Sequence, residues 1–142
     1  MITRNTDTLK NISLDFTGTP EEYSKLINLL EFELRASNPK GVGLSAIQIN
    51  IPLRVAIIRH DKVGLNLYNT EIIDKSQPFI FKGEGCLSFP GQFINTKRYN
   101  QITIRNGNGE TASFSGFTAI AIQHEIAHWS GETMFDYEVQ SD

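Results

Sequence analysis

A short segment near the end of the chain, His124-Glu125-Ile126-Ala127-His128, constrains the fold more than any other feature. On a helix, residues four apart lie on the same face, so two imidazoles at this spacing can bind one metal ion. The glutamate between them points to the neighbouring flank, where it can exchange protons with a water on that metal. A surface helix with two solvated histidines is the alternative interpretation.

The residues before this motif favour a helix that faces inward. Five positions form one stripe with helical period: Phe117, Ile120, Ala121, His124 and His128. A neutral imidazole on such an apolar face needs a polar partner, and the stripe itself offers none. One histidine on this face could simply be a hydrogen-bonded core residue. Two histidines four residues apart are poorly explained in that way. Ser115 can cap the start of the helix and Gly131 can end it.

Length and charge exclude several classes of protein. The 142 residues suit a single domain, residues 1–142, without repeats or linkers. The net charge of −3 and the absence of a basic cluster predict that DNA is not a partner. No apolar run approaches the roughly 20 residues that span a bilayer. Residues 1–7 also lack the apolar segment of a secretion signal, so we expect a cytoplasmic protein without a membrane partner.

The chain has one cysteine, Cys86, within the glycine-rich segment Gly83–Gly91. An internal disulfide is therefore impossible, and a lone cysteine is often a small buried hydrophobe. Beside a two-histidine motif, however, a thiolate is a candidate third ligand, and three protein ligands plus water are typical of a catalytic centre. The other histidine, His60, lies in the turn-like segment His60–Gly64 and is predicted to be a surface residue.

A third segment is Gly41-Val42-Gly43-Leu44-Ser45-Ala46-Ile47-Gln48. Its glycine spacing matches neither the dinucleotide fingerprint nor the P-loop. A glycine turn before a strand is one interpretation. The functional interpretation is that the amide N–H groups of Gln48 polarise a substrate carbonyl near the metal.

Together, these three segments resemble the motifs of the peptide deformylase family. Residues 41–48 resemble its G-x-G-L-A-A-x-Q motif, residues 84–88 match E-G-C-L-S, and residues 123–128 resemble Q-H-E-x-D-H. The order of the motifs is also that of the family. Two positions depart from it: Ser45 replaces the first alanine and Ala127 replaces the aspartate. If that aspartate supports the ligands or the helix, its loss weakens metal retention or stability.

The resemblance implies metal-dependent hydrolysis of the formyl group from N-formylmethionyl nascent peptides, with release of formate. It implies one divalent ion per chain on Cys86, His124 and His128, with Fe²⁺ in the cell and Ni²⁺, Co²⁺ or Zn²⁺ able to substitute. Glu125 would carry protons, and the Gln48 side chain and Leu87 backbone N–H would stabilise the oxyanion. Arg98 would pair with Glu84. The implied substrate-binding residues are Gly41, Val42, Gly43, Leu44, Glu84, Gly85, Phe117, Ile120 and Ala121.

The same resemblance and the local patterns agree on fold class. Thr19-Pro20-Glu21-Glu22 forms a capping box, and the helix it starts is predicted to run to Ser37. Runs rich in β-branched and aromatic residues predict strands at Leu53–Arg59, Leu65–Ile73, Pro78–Glu84, Gln101–Asn106 and Thr111–Phe114. We therefore expect an α+β domain with mixed or antiparallel sheets packed around a central metal-binding helix, and with an N-terminal helix.

Two alternative functions stay open. A zinc peptidase shares the histidine motif but takes its third ligand downstream, where Glu132 and Asp136 are candidates. A relative that binds metal or peptide without turnover is the non-enzymatic alternative. The 14 residues after His128 suggest a short form without the C-terminal helix implicated in ribosome docking, and a viral origin is one hypothesis. We expect a monomer with weak or absent ribosome docking, in a bacterial cytoplasm or that of an infected host.

Overall fold

A computed structural model describes residues 1–140 of the chain. Its helices are α1 (Thr6–Leu9), α2 (Pro20–Arg35) and α3 (Gly116–Trp129), and 3₁₀ turns occur at Ala46–Ile49 and Met134–Tyr137. Its strands are β1 (Gly43–Ser45), β2 (Val55–His60), β3 (Val63–Tyr68), β4 (Glu71–Lys75), β5 (Pro78–Cys86), β6 (Phe89–Tyr99), β7 (Gln101–Arg105) and β8 (Thr111–Ser115).

The strands form antiparallel sheets. The first has the order β1-β2-β3, the second has the order β4-β7-β8, and the third is the pair β5-β6. The predicted α+β class with antiparallel sheets is confirmed. Among the described residues, no helix is long and apolar enough to cross a membrane.

The central strand β2 explains how the first sheet holds both long helices. Successive side chains of a strand point to opposite faces. Val55 and Ile57 pack in the cluster that includes the apolar face of α2, whereas Ala56 and Ile58 pack in the cluster that includes α3. Both faces of β2 are therefore buried, and the sheet forms a layer between the two helices.

Helix α2 begins as the sequence predicts. Thr19 and Glu22 form the capping box, and Pro20 occupies the first turn. The helix ends at Arg35, two residues before the predicted end at Ser37. The buried face consists of Leu26, Ile27, Leu30 and Leu34.

Helix α3 is buried over most of its surface and not only along the predicted stripe. Ser115 is the residue before its first turn, as predicted, but its side chain makes no capping hydrogen bond. Gly131 follows the last turn with a φ of 78°, a left-handed conformation that favours glycine at a helix end. At the other end, Phe117 remains 45% exposed, so the inward stripe starts after it.

One strand prediction was wrong, and one strand was not predicted. The run Leu65–Ile73 is not one strand, because Asn69 has a φ of 49° and separates β3 from β4, which belong to different sheets. Strand β6 was not predicted, because Pro90 and Gly91 suggested a turn. Proline is tolerated near the start of an edge strand such as β6, where a missing N–H breaks no interior ladder.

Candidate metal centre

The structure brings the predicted ligands Cys86, His124 and His128 together. Cys86 ends β5, and the two histidines lie one turn apart on α3. One potential ligand atom from each residue lies within 4.8 Å of the others. The Sγ of Cys86 is 3.6 Å from Nε2 of His128, and the imidazole centroids are 5.0 Å apart.

His124 is held by a buried ionic cluster. Its Nδ1 is 2.7 Å from Oε2 of Glu84, which fixes the ring and directs Nε2 away from that carboxylate. The Nε of Arg98 donates to Oε1 of Glu84 at 2.8 Å, and Thr96 Oγ1 donates to the same oxygen at 2.7 Å. Arg98 also lies over the ring of Tyr137 at 4.5 Å. The contact between Arg98 and Glu84 confirms the predicted pair.

Charge in this cluster shifts the pKa values in opposite directions. Burial alone would raise the pKa of Glu84, but the hydrogen bonds and positive charges of His124 and Arg98 lower it to about 2. Burial alone would lower the pKa of His124, but the negative charge of Cys86 and the hydrogen bond to Glu84 raise it well above the usual value. Glu84 is therefore a carboxylate that favours a proton on Nδ1 of His124.

His128 has different surroundings. Its side chain is fully buried, and its Nδ1 makes no hydrogen bond within residues 1–140. Burial, together with the charges of His124 and Arg98, lowers its pKa well below the usual value. A neutral imidazole with Nε2 facing a thiol is the form that binds a metal. One thiolate and two imidazoles fit a divalent transition metal and not Mg²⁺ or Ca²⁺, which prefer oxygen ligands.

Glu125 lies beside the ligands, on the flank that the helical spacing predicts. The carboxylate is buried, with Oε1 3.0 Å from the hydroxyl of Ser45. A Cβ added to Gly43 would lie 2.6 Å from Oε2, so a side chain at this position would displace that oxygen. Burial raises the pKa of Glu125, while the charge of His124 and the hydrogen bond from Ser45 oppose that shift.

Gln48 is oriented by hydrogen bonds at both ends of its amide. Its Oε1 accepts from the backbone N–H of Ser45 at 2.9 Å, which leaves Nε2 toward the thiol. The Nε2 atom is 3.7 Å from Sγ of Cys86 and donates to Oγ of Ser88 at 3.1 Å. The segment 43–45 is strand β1 and not a simple turn. Ser88 was not singled out from the sequence, although it lies inside the E-G-C-L-S segment.

A cleft of about 280 Å³ leads to these groups. The predicted substrate-binding residues that line it are Gly41, Val42, Gly43, Glu84, Gly85, Phe117, Ile120 and Ala121. Leu87, predicted to stabilise the oxyanion, also lines it. Leu44 does not line it, because its side chain is fully buried in the cluster beneath α2; that prediction was wrong. Phe81, Phe89 and Phe93 also line the cleft and were missed, because they lie on β5 and β6, whose pairing the sequence did not reveal.

His60 is not the surface residue that the sequence predicted. Its side chain is 13% exposed, its Nε2 is 2.9 Å from the hydroxyl of Thr118, and its ring stacks edge-on against Phe117 at 5.1 Å. The turn begins only at Asp61, so His60 is the last residue of β2 and packs against the first turn of α3.

The downstream candidates of a zinc peptidase have other partners. Glu132 accepts a hydrogen bond from the hydroxyl of Tyr137 at 2.7 Å, and Asp136 accepts from the backbone N–H of Thr133 at 2.9 Å. Neither joins the three clustered ligands, and no other group of three potential ligands occurs in the described part of the chain. Ala127 is buried and lines a separate groove beside Arg98 and Tyr137.

Comparison with known proteins agrees with this geometry. The family model described as polypeptide deformylase matches residues 1–142. A peptide deformylase of Campylobacter jejuni is 37% identical, and the match covers 80% of this chain and 77% of the relative. One from Helicobacter acinonychis is 30% identical and covers 90% of this chain and 78% of the relative.

The fold is also similar to those of solved peptide deformylase structures. The crystal structure of peptide deformylase from Thermotoga maritima superposes with a TM-score of 0.87 at 27% identity, covering 99% of this chain and 97% of that one. A peptide deformylase from Legionella pneumophila superposes with a TM-score of 0.85 at 28% identity, covering 97% and 84%.

Proposed function

The chain belongs to the polypeptide deformylase family, and from this premise we propose a specific role for each residue of its metal centre. The family is metal-dependent, and the chain is a hydrolase that removes the N-terminal formyl group from nascent peptides. We propose that Cys86, His124 and His128 hold the ion. The observation that carries this proposal is the clustering of one thiol and two imidazoles at the inner end of an apolar cleft.

When bound, the ion supplies Lewis-acid chemistry, polarising the formyl carbonyl and lowering the pKa of water. Glu125 is proposed as the proton carrier. It takes a proton from the attacking water and delivers it to the departing amine. Its burial supports this role, because burial raises the pKa of Glu125, and a carboxylate with a raised pKa is a stronger base toward the attacking water.

Gln48 and Leu87 are proposed to stabilise the negative charge that builds on the formyl oxygen. The Gln48 amide is held with Nε2 toward Cys86, so it needs little reorganisation to donate a hydrogen bond there. Leu87 follows the cysteine directly and lines the same cleft, which supports its backbone N–H as the second donor. One such donor lowers the barrier by roughly 3–4 kcal/mol.

The cleft is proposed to bind the methionine side chain of the substrate. Phe117, Ile120 and Ala121 provide an apolar wall from α3, and glycines at 41, 43 and 85 let a peptide backbone approach closely. Adding a Cβ to Gly43 or Gly85 would meet Glu125 or Phe93, so side chains there would obstruct the cleft.

Fe²⁺ is the proposed metal in the cell, with Ni²⁺, Co²⁺ or Zn²⁺ able to replace it. A thiolate with two imidazoles accepts each of these ions, so the ligands alone do not select one. Metal analysis of protein purified without oxygen tests this assignment. We expect iron at one equivalent per chain and a loss of formate release on exposure to air that Ni²⁺ restores. Copurified zinc without iron, at full activity, would contradict the assignment.

The remaining proposals concern partners. Every residue of the proposed site comes from one chain, which supports action as a monomer. The net charge of −3 offers no general attraction to ribosomal RNA, which supports weak or absent ribosome docking. Salt-resistant co-sedimentation with ribosomes would contradict the second proposal. A cytoplasmic location stays a prediction.

The activity assay uses formyl-Met-Ala-Ser and measures formate together with the free amino terminus. Acetyl-Met-Ala-Ser is the matched control, because it carries an additional methyl on the same amide. We expect stoichiometric formate and an intact Met-Ala bond. Cleavage of that peptide bond without formate would instead indicate a peptidase.

A further inference from the structure

Ser45 occupies one of the two positions at which this chain departs from the family motif. Its side chain is fully buried at the junction of β1 and the 3₁₀ turn Ala46–Ile49. Its hydroxyl lies 3.0 Å from Oε1 of Glu125 and 2.9 Å from the backbone carbonyl oxygen of Glu125. Alanine, the family residue, makes neither contact.

The two carboxylate oxygens of Glu125 have different surroundings. Oε1 is the atom that contacts Ser45, whereas Oε2 accepts no hydrogen bond from residues 1–140 and lies 2.6 Å from the position that a Cβ on Gly43 would take, at the wall of the cleft. The terminal torsion of a glutamate has a broad, roughly two-fold preference, so an unanchored carboxylate rotates easily. The Ser45 hydroxyl has one proton and two acceptors in reach, Oε1 and the carbonyl oxygen of Glu125, and it restricts this rotation when it donates to Oε1.

Ser45 also contacts the second group assigned to the reaction. Its backbone N–H donates to Oε1 of Gln48 at 2.9 Å. The N–H contact exists with any residue except proline at this position, but the hydroxyl contact requires serine or threonine. The two contacts can therefore be separated by mutation.

We propose that the Ser45 hydroxyl is a positioning group that holds Oε1 of Glu125 and thereby presents Oε2 to the reacting water and amine. The inference rests on the proposed role of Glu125. Misplacing a reacting group lowers kcat without changing how the substrate is bound, because the apolar wall that binds methionine is on α3 and does not involve Ser45.

The test compares Ser45→Ala with wild type as the metal-loaded enzyme on formyl-Met-Ala-Ser. We expect kcat to fall about 3- to 10-fold, in line with the loss of one ordinary hydrogen bond, with KM changed less than about twofold. Metal content should be unchanged. Ser13→Ala is the matched control, since Ser13 is a buried serine whose hydroxyl has no partner in residues 1–140. It should leave kcat unchanged.

Two more variants separate positioning from packing. Ser45→Thr keeps the hydroxyl and should retain a higher kcat than Ser45→Ala. Glu125→Asp withdraws the carboxylate by one methylene, so adding Ser45→Ala to it should change kcat less than about twofold. An unchanged or increased kcat in Ser45→Ala would overturn the inference. The inference would also be overturned if Ser45→Ala lowered kcat by the same factor in the Glu125→Asp background. A fall in kcat that follows a loss of melting temperature in Ser45→Ala would overturn it as well.

The Glu125→Gln variant distinguishes a failure of the proposed role of Glu125 from a failure of the proposed role of Ser45. If Glu125→Gln keeps full kcat, the role of Glu125 itself is wrong. If Glu125→Gln loses kcat while Ser45→Ala keeps it, only the positioning role of Ser45 is wrong.

Discussion

The two sides of helix α3 contribute different chemistry to one site. On one side, the β5–β6 hairpin carries Cys86 and the buried pair of Glu84 and Arg98, which fixes His124. On the other side, β1 carries Ser45 and the 3₁₀ turn carries Gln48. Ser45 contacts the carboxylate of Glu125, and the amide of Gln48 contacts Sγ of Cys86. The hairpin side therefore supplies one proposed ligand and fixes a second, His124 on α3, whereas the β1 side orients the groups proposed to act on substrate. This separation predicts that mutations on the two sides fail in different ways.

Cys86→Ser gives the largest expected effect. A hydroxyl is a much weaker ligand than a thiolate for these ions, so bound metal should fall well below one equivalent and formate release should be lost. Metal analysis after gel filtration measures this directly. His60→Ala is the control, because His60 packs on Phe117 and contacts no ligand; its metal content should equal that of wild type. Full metal retention by Cys86→Ser would contradict the assignment of metal binding to the β5–β6 hairpin side of α3.

Glu125→Gln should separate turnover from metal binding. Glutamine keeps the shape of the side chain but cannot carry the proton, so kcat should fall by roughly 10²–10⁴ while metal stays bound. Steady-state kinetics and metal analysis on the same preparation measure both quantities. Metal loss in proportion to the loss of kcat would show that this residue belongs with the hairpin side.

Gln48→Ala should give a smaller loss of the same kind. Removing one donor to the oxyanion lowers kcat by about 10²–10³. The metal should remain bound, because Gln48 is not a proposed ligand and its amide only approaches the thiol at 3.7 Å. Ile49→Ala, at the half-buried end of the same 3₁₀ turn, controls for damage to the turn. A KM effect with unchanged kcat would contradict the role of Gln48.

Glu84→Gln should affect stability and its pH dependence most of all. The pKa of Glu84 is lowered from 4.5 to about 2, so its ionised form stabilises the fold above pH 4.5, and that contribution is lost as the pH falls toward 2. Denaturant unfolding of metal-free protein should show Glu84→Gln less stable than wild type near neutrality, by a few kcal/mol. The difference should shrink below pH 4.5. A constant difference across that range would mean that Glu84 is not the titrating partner of His124 and Arg98.

Much of the site could be predicted from the sequence because its residues lie in short, ordered segments. The i, i+4 spacing of His124 and His128 and the capping box of α2 are local properties, and the structure agrees with both. The predictions that failed concern tertiary packing and strand pairing, which are not local properties of the sequence. Leu44 was assigned to the cleft by its place in a motif, but a strand alternates its faces and turns this side chain into the core. The aromatic residues Phe81 and Phe93 join the cleft through the pairing of Phe81 with Thr96 and of Gly85 with Phe93, which local pattern does not specify.

The central claim is that Cys86, His124 and His128 hold a single ion, and X-ray absorption on protein reconstituted with one equivalent of Zn²⁺ tests it most directly. We predict a first coordination shell with one sulfur at about 2.3 Å and two imidazole nitrogens, leaving a position for an oxygen. The sulfur should vanish from this shell in Cys86→Ser. A wild-type spectrum without sulfur, or with carboxylate oxygens in place of one imidazole, would contradict the account.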